Sequence, residues 1–148
     1  MKRRNFVQAS LALGSMGSLA GMVGCSTTGR IPDKARVVVV GGGYGGATAA
    51  KYVRMLSNYQ IDVVLIEPES AFISCPMSNL VIGGSKSLSD ITTPYDNLAG
   101  KHDVNVVRDF VSGIDASKKT ITLASGPSIR YDKLVLSPGI ELMFNTIE

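Results

Sequence analysis

The stretch VVVVGGGYGGATAA, residues 37–50, joins four consecutive valines to a glycine-rich turn and then to small, helix-forming residues. An unbroken apolar run is typical of a strand that is buried on both faces of a parallel sheet. The segment Ala47–Leu56 repeats apolar side chains at helical spacing, and Ile61–Ile66 is a second apolar run. This order of strand, turn, helix and strand predicts a doubly wound α/β domain.

The turn carries a G-x-G-x-x-G pattern formed by Gly41, Gly43 and Gly46. The first glycine of such a turn permits the tight bend, the second lets a pyrophosphate approach the backbone, and the third lets helix and strand pack closely. Glu67 ends the second strand about 20 residues later, where an acid accepts hydrogen bonds from a ribose. The pattern predicts a dinucleotide site, with a purely structural glycine turn as the alternative. Tyr44, inside the turn, is expected to shield the pyrophosphate.

The second half of the chain changes character twice. Residues 71–100 are dense in Ser, Gly, Pro and Asn, which predicts a loop with one or two short helices. From Val104 onward, short β-type runs alternate with turn residues, which predicts an antiparallel meander that returns to the main sheet at Leu134–Ser137. We therefore expect a Rossmann-like three-layer domain, in which a parallel sheet is combined with an antiparallel β-meander.

The composition of the chain limits the classes of function that it can have. The chain has 148 residues, of which 45% are hydrophobic and 18% charged, as expected for one soluble globular domain. Lys2, Arg3 and Arg4 account for the whole net charge of +3, because Met1–Cys25 contains no acid. The rest of the chain is balanced, so no nucleic-acid partner is expected. No metal site is predicted.

The first 25 residues predict an export signal, with a basic start, a weakly apolar middle and a polar end. Arg3 and Arg4, followed by Asn5, resemble the twin-arginine signal, which predicts a periplasmic protein. Cys25 ends the sequence MVGC, which is similar to a lipoprotein processing site, and a membrane is expected as a partner only if Cys25 is lipidated. Residues 26–35 read as a linker before the domain.

The segment YDKLVLSPG, Tyr131–Gly139, resembles the second signature of flavoproteins that have two dinucleotide-binding domains. The resemblance implies that the chain passes beneath FAD here, with Pro138 and Gly139 at the cofactor. A simple NAD-dependent dehydrogenase is expected to continue with more helix–strand units. FAD is therefore the expected dinucleotide, and residues 36–148 are expected to form the N-terminal part of an FAD/NAD(P)-binding domain.

Cys75 stands in the stretch AFISCPMSNL, residues 71–80, and is followed directly by Pro76. Proline suits the first position of a helix, which would make Cys75 the N-cap residue of that helix. A helix N-terminus favours the thiolate form of a cysteine, and the thiolate is the nucleophile. Gly83 is the expected stop of this helix.

Four segments together resemble the flavoprotein subunit of flavocytochrome c sulfide dehydrogenase: residues 37–53, 66–84, 95–98 and 131–142. The resemblance implies that Cys75 forms a thioether with the 8α-methyl carbon of FAD, and that the glycine turn and Glu67 bind the ADP half. It also implies that electrons pass from sulfide to FAD and then to a c-type cytochrome subunit. The chain lacks C-x-x-C-H, so the haem is expected on a separate polypeptide.

Two other interpretations of Cys75 stay open. It is either a small buried residue that never reacts, or a redox thiol of a disulfide or peroxide reductase-type flavoprotein that cycles through sulfenic acid or a mixed disulfide. A non-catalytic dinucleotide-binding module would need only the glycine turn and Glu67.

The resemblance also implies that much of the enzyme is missing from these 148 residues. The chain stops at IELMFNTIE, residues 140–148, where the second nucleotide-binding domain should start. The redox-active cysteine pair of the family would lie in the missing parts, so no catalytic residue is assigned. The chain is expected to be a truncated FAD-binding portion that is inactive by itself. His102 is expected to be a loop histidine rather than a base.

Overall fold

The computed structural model describes residues 34–140. The predicted export signal, Cys25 and the C-terminal residues 141–148 lie outside the described residues. The described chain forms nine strands and three α-helices: β1 (Arg36–Val40), α1 (Tyr44–Leu56), β2 (Asp62–Ile66), β3 (Ala71–Ile73), α2 (Ser78–Ile82), β4 (Thr92–Pro94), α3 (Asp96–His102), β5 (Asn105–Val107), β6 (Val111–Asp115), β7 (Thr120–Leu123), β8 (Ser128–Arg130) and β9 (Lys133–Leu136).

The main sheet is parallel, with strand order β5-β2-β1-β9. Its central strand β1 consists almost entirely of valine, and Val38 and Val39 are both 0% exposed although they point to opposite faces. β2 is likewise buried on both faces, since the neighbouring residues Leu65 and Ile66 are 0% and 1% exposed. Because both faces of the sheet are buried, each must be covered by a packing layer. One layer is helical and the other is the antiparallel meander.

The helical layer covers one face of the sheet. Its core joins Val37 and Val39 of β1 to Ala50 of α1 and to Tyr95 and Val104. The helix begins at Tyr44, three residues earlier than the pattern predicted, so the end of the glycine turn forms its first turn. Small residues follow Tyr44 in the first turn of the helix, so this turn can lie directly against the sheet without a gap.

The antiparallel meander covers the other face. Strands β6, β7 and β8 form a three-stranded sheet. Ile121 and Leu123 of β7 pack against Val38, Val64 and Ile66 of the main sheet. The chain then returns to the main sheet as β9, which pairs in parallel with β1. The predicted three-layer fold with its parallel sheet and meander is confirmed.

The middle segment is more ordered than predicted. It contains the predicted short helices, α2 and α3, and in addition an antiparallel ribbon of β3 and β4 and two 3₁₀ turns, Cys75–Met77 and Leu88–Ile91. Ser87 and Asp90 form a capping box that starts the second of these turns. Ile91 at its end is buried, and its carbonyl oxygen accepts from the N–H of Ser74 (2.9 Å). Within residues 34–140, no helix is long and apolar enough to span a membrane.

Arg54, in the last turn of α1, is a buried cation that is 5% exposed. Its guanidinium donates to the backbone oxygens of Asp103 (3.0 Å), Tyr59 (2.9 Å) and Ile61 (2.5 Å), and also to the carboxylate of Asp103. Tyr59 and Asp103 have positive φ angles of 61° and 51°, which are uncommon outside glycine. Arg54 therefore holds the ends of α1 and α3 and the loop into β2 together.

We expect Arg54→Met to lower the free energy of unfolding by about 2 to 3 kcal/mol, because the part-buried carbonyl oxygens of Tyr59, Ile61 and Asp103 all lose this donor. Lys118→Met is the matched control, since Lys118 is exposed and its ion pair with Asp115 is a surface pair. The control should change stability by less than about 1 kcal/mol. Urea unfolding of the two variants measures the difference, and equal losses in both would contradict the assigned role of Arg54.

Candidate functional site

The site lies at the edge where the parallel strands end. Val40, the last residue of β1, is in register with Ile66 of β2 and with Leu136 of β9. The next residue of each strand therefore meets at one edge: Gly41, Glu67 and Ser137. Gly41 donates its N–H to the carbonyl of Ile66 (2.9 Å), and Ser137 donates to that of Val40 (2.8 Å). Carboxyl ends of parallel strands are the usual place for a ligand in such folds.

The three motif glycines are surrounded very differently. Gly41 has a φ of +94°, and a Cβ there would lie 2.1 Å from the carbonyl oxygen of Ser137. A Cβ on Gly46 would lie 1.8 Å from the carbonyl oxygen of Gly41. On Gly43, the nearest atom would be Cε2 of Phe72 at 3.9 Å. The first and third glycines are thus required by protein packing, whereas the space above the second is open.

The N-terminus of α1 has free hydrogen-bonding capacity. No side chain caps it, and its first turn contains no acid. The first N–H groups of a helix have no partner within the helix, and the helix dipole places positive potential at this end. Together with the open space above Gly43, this end of α1 fits the pyrophosphate of a dinucleotide.

Glu67 lies beside the turn and already accepts two backbone hydrogen bonds. One carboxylate oxygen accepts from the N–H of Gly42 (2.5 Å), and the other accepts from the N–H of Glu69 (3.0 Å). Each carboxylate oxygen has a second lone pair, so both oxygens keep capacity for hydroxyl donors. The predicted ribose contact stays a prediction, but the structure adds a second role, which is to hold the glycine turn.

Tyr95 completes the turn; it lies in the segment 95–98 that carries the resemblance, but no sequence pattern indicated its role. It is 5% exposed, and its hydroxyl donates to the carbonyl oxygen of Gly42 (2.9 Å). A Cβ on Gly42 would lie 2.4 Å from that hydroxyl oxygen. Burial, together with the nearby Glu67 carboxylate, raises the pKa of Tyr95 to about 12. Both backbone polar groups of Gly42 are thus held, its N–H by Glu67 and its C=O by Tyr95.

Cys75 is a free thiol and is exposed in the described part of the chain, which argues against the interpretation of a buried cysteine. The prediction that it is an N-cap was wrong. Ser74 is the N-cap, and Cys75 is the first residue of a 3₁₀ turn of three residues, with Pro76 second. Proline is tolerated at either of these early positions, because neither N–H has a partner within the turn. Gly83 ends the following helix α2, as predicted.

The remaining predicted residues are placed as follows. Pro138 lies next to the turn, because its Cα would be 2.9 Å from a Cβ on Gly41. Gly139 follows with a φ of +76°. His102 lies in the last turn of α3 rather than in a loop, and its Nδ1 is buried without a hydrogen-bond partner among the described residues. Tyr44 reaches Ser74 with its hydroxyl.

A cavity of about 470 Å³ opens beside the turn, between α1, α3 and the β3–β4 ribbon. Gly43 and Tyr44 form one side, and Phe72, Ser74 and Met77 form another. The structure therefore brings the glycine turn and the residues on both sides of Cys75 to one cavity. Among residues 34–140, no group of three or more His, Cys, Asp or Glu side chains is arranged to hold a metal.

These features define a Rossmann-like α/β domain of the dinucleotide-binding class, with a glycine turn that fits a pyrophosphate. Residues 35–147 match the pyridine nucleotide-disulphide oxidoreductase family, and the chain belongs to that family of flavin-dependent oxidoreductases. Over 46 residues it is 61% identical to the flavoprotein chain of sulfide dehydrogenase (flavocytochrome c) from Chlorobaculum thiosulfatiphilum, which is 31% of this chain and 94% of that sequence.

Longer relatives extend the similarity over most of the described chain. The sulfide-quinone reductase of Aquifex aeolicus is 32% identical over 108 residues, which are 73% of this chain and 25% of the relative. Its X-ray structure superposes with a TM-score of 0.68 over 74% of this chain. The mitochondrial sulfide:quinone oxidoreductase of Dictyostelium discoideum is 28% identical over 80% of this chain and 26% of its own length. The chain thus spans about a quarter of these two relatives.

The different surroundings of the motif glycines lead to a test. Gly43→Ala should leave the stability within about 1 kcal/mol of the wild type, because its Cβ meets open space, but it should weaken FAD binding at least about tenfold by occupying the approach of the pyrophosphate. Isothermal titration with FAD and urea unfolding measure the two effects. Gly100→Ala, in an exposed position of α3 with no neighbour within 4 Å, is the control and should bind FAD normally. Normal FAD binding by Gly43→Ala would exclude the site.

The buried hydroxyl of Tyr95 predicts a distinct pH dependence of stability. Its pKa is about 12 in the folded protein against 10.0 for an ordinary tyrosine, so its contribution is complete below pH 10 and is lost as the pH rises through 12. The free energy of unfolding of Tyr95→Phe should therefore be about 1 to 2 kcal/mol lower than that of the wild type at neutral pH. It should also decline less steeply than that of the wild type between pH 10 and 12. Unfolding free energies at several alkaline pH values measure this. Identical slopes in both proteins would contradict the assignment.

Proposed function

We propose that this chain is the FAD-binding portion of a sulfide-oxidising flavoprotein that passes electrons to a c-type cytochrome. The observation that carries the proposal is the uncapped N-terminus of α1 above the open face of Gly43, at the edge where Glu67 and Pro138 also lie. This arrangement suits the ADP half of FAD, with Gly41, Gly43 and Gly46 at the pyrophosphate and Glu67 at the ribose. Pro138 and Gly139 then lie at the point where the chain passes the cofactor.

Support for the substrate comes from the relatives. Three of them are named for sulfide oxidation, and one of these is the flavoprotein chain of a flavocytochrome c. Flavin accepts two electrons at once and releases them singly, which is the exchange that links sulfide oxidation to a one-electron haem. The residues of this chain bind and orient the cofactor for that exchange. The proposal places the haem on a cytochrome partner, in keeping with the name of the relative, which is the flavoprotein chain of a flavocytochrome c.

The proposal includes a thioether between Cys75 and the 8α-methyl carbon of FAD. The Cys75 sulfur forms a C–S bond to that carbon while a methyl C–H bond breaks. The two electrons and two protons released, including the thiol proton, reduce the isoalloxazine ring, and the haem partner or dioxygen reoxidises it. The exposure of Cys75 and the position of Ser74 and Met77 at the cavity support this assignment. Export to the periplasm is part of the proposal, since a covalent bond retains a cofactor that is hard to replace there.

The test uses the full-length protein together with its cytochrome partner. Sulfide added without oxygen should bleach the flavin absorbance and then reduce the haem. Acid precipitation should leave the flavin on a peptide that contains Cys75, as seen by peptide mass. Cys75→Ser should keep FAD by its ADP half but release it into the acid supernatant.

The outcomes separate the candidate functions. If acid releases the flavin from the wild type, the thioether is excluded. A sulfenic acid or mixed disulfide found on Cys75 would then favour the redox-thiol enzyme. Flavin that sulfide does not bleach overturns the substrate assignment. A protein that binds no flavin would be a different dinucleotide-binding module.

A further inference from the structure

Tyr44 and Ser74 make a contact that the proposed FAD site does not require. The hydroxyl of Tyr44, the first residue of α1, is hydrogen-bonded to the hydroxyl of Ser74. The two residues are 30 positions apart in the chain. Ser74 directly precedes Cys75, so this contact links the pyrophosphate end of α1 to the segment that carries the thiol.

Because of this contact, the Ser74 hydroxyl does not make the capping hydrogen bond that is usual for a serine at its position. Ser74 is the N-cap of the turn that begins at Cys75, yet its side chain makes no capping hydrogen bond. A serine at this position normally accepts from an N–H of the turn. Ser74 is 5% exposed and its own N–H donates to the carbonyl of Ile91 (2.9 Å), so both its backbone and its hydroxyl are used to anchor it.

The segment beyond Ser74 has no other anchor of this kind. Neither the turn Cys75–Met77 nor the helix α2 contains a buried residue. Met77 and Val81 are only half-buried, so we expect the position of Cys75 to depend chiefly on the nearest fully buried attachment point. Ser74 is the attachment nearest to Cys75, and Tyr44 is the side chain that holds its hydroxyl.

Tyr44 is itself held in place. Its ring packs edge to face against Phe72, with centroids 4.7 Å apart and an interplanar angle of 71°. Phe72 in turn lies nearest to the open face of Gly43. Tyr44 is 57% exposed, so the contact with Phe72 supports one side of its ring, and removing only the hydroxyl oxygen should leave that contact intact.

We infer that Tyr44 is a positioning residue that sets the reach of Cys75 toward the flavin through its hydrogen bond to Ser74. This inference rests on the proposed thioether. A bond between a protein thiol and a bound cofactor forms at a rate set by how often the two atoms meet, and a small misplacement lowers such rates strongly. Tyr44 does not touch the reacting atoms, so its effect should fall on the rate of attachment and not on FAD affinity.

The test follows covalent flavin attachment in the full-length protein, prepared without flavin and then given FAD. Tyr44→Phe and Ser74→Ala should each slow the appearance of acid-stable flavin about tenfold, while FAD affinity before attachment stays within about threefold of the wild type. The double variant should be no slower than either single one, because both remove the same hydrogen bond. Tyr52→Phe, which removes an exposed hydroxyl from the same helix, should attach flavin at the wild-type rate.

Amide hydrogen exchange over residues 73–77 gives a second readout that does not need flavin attachment. The N–H groups of Ser74 and Met77 are hydrogen-bonded in the structure and should exchange faster in both single variants. Wild-type attachment rates in Tyr44→Phe and Ser74→Ala overturn the inference. If the wild type itself attaches no flavin, the thioether falls, and unchanged exchange in both variants then overturns the anchoring role as well.

Discussion

The approach of α1 to the end of β1 is the constraint on which the rest of this structure depends. A side chain on Gly46 would collide with the backbone of Gly41, so the helix starts directly on the turn and not beside it. This brings its first N–H groups to the edge where β2 and β9 also end. Glu67 and Ser137 are placed by the same register. The ligand site is thus a result of how closely one helix sits on one strand.

The turn is held before any ligand arrives. The two peptide units that flank Gly42 are both fixed, one at its N–H by Glu67 and the next at its C=O by Tyr95. A binding loop that is already ordered loses less conformational freedom on binding, which improves affinity without any new contact. The raised pKa of Tyr95, about 12, keeps its hydroxyl protonated, and therefore a donor, well into the alkaline range. Glu67 consequently serves both the loop and the expected ribose.

Those parts of the fold that depend on local pattern were predictable from the sequence. The valine run, the glycine turn and the turn clusters after Val104 each carry their signal within a few residues, and the sheet, α1 and the meander follow from them. The β3–β4 ribbon was missed because its strands have only three residues each, too few to show a period. The cap of the Cys75 turn was misplaced by one residue, since proline suits both early positions.

Tyr95 and Ser74 show a different limit. Tyr95 reaches a residue 53 positions away, and Ser74 reaches one 30 positions away. Neither contact can be recognised from a sequence motif, because each depends on a partner that only the folded structure places next to the residue. The same two residues, however, decide the geometry of the turn and of the thiol segment. The motif therefore locates the site, while long-range partners set its shape.

The turn at Cys75 also changes how the chemistry of the thiol is to be understood. The sequence suggested activation by a helix N-terminus, but a macrodipole needs a run of aligned peptides, and the turn has three residues followed by a helix of five. Position then matters more than activation, because holding two groups in contact contributes far more to a rate than a modest change in nucleophilicity. The Tyr44–Ser74 hydrogen bond acts on position, and it joins the thiol segment to the helix end that would hold the cofactor's phosphates.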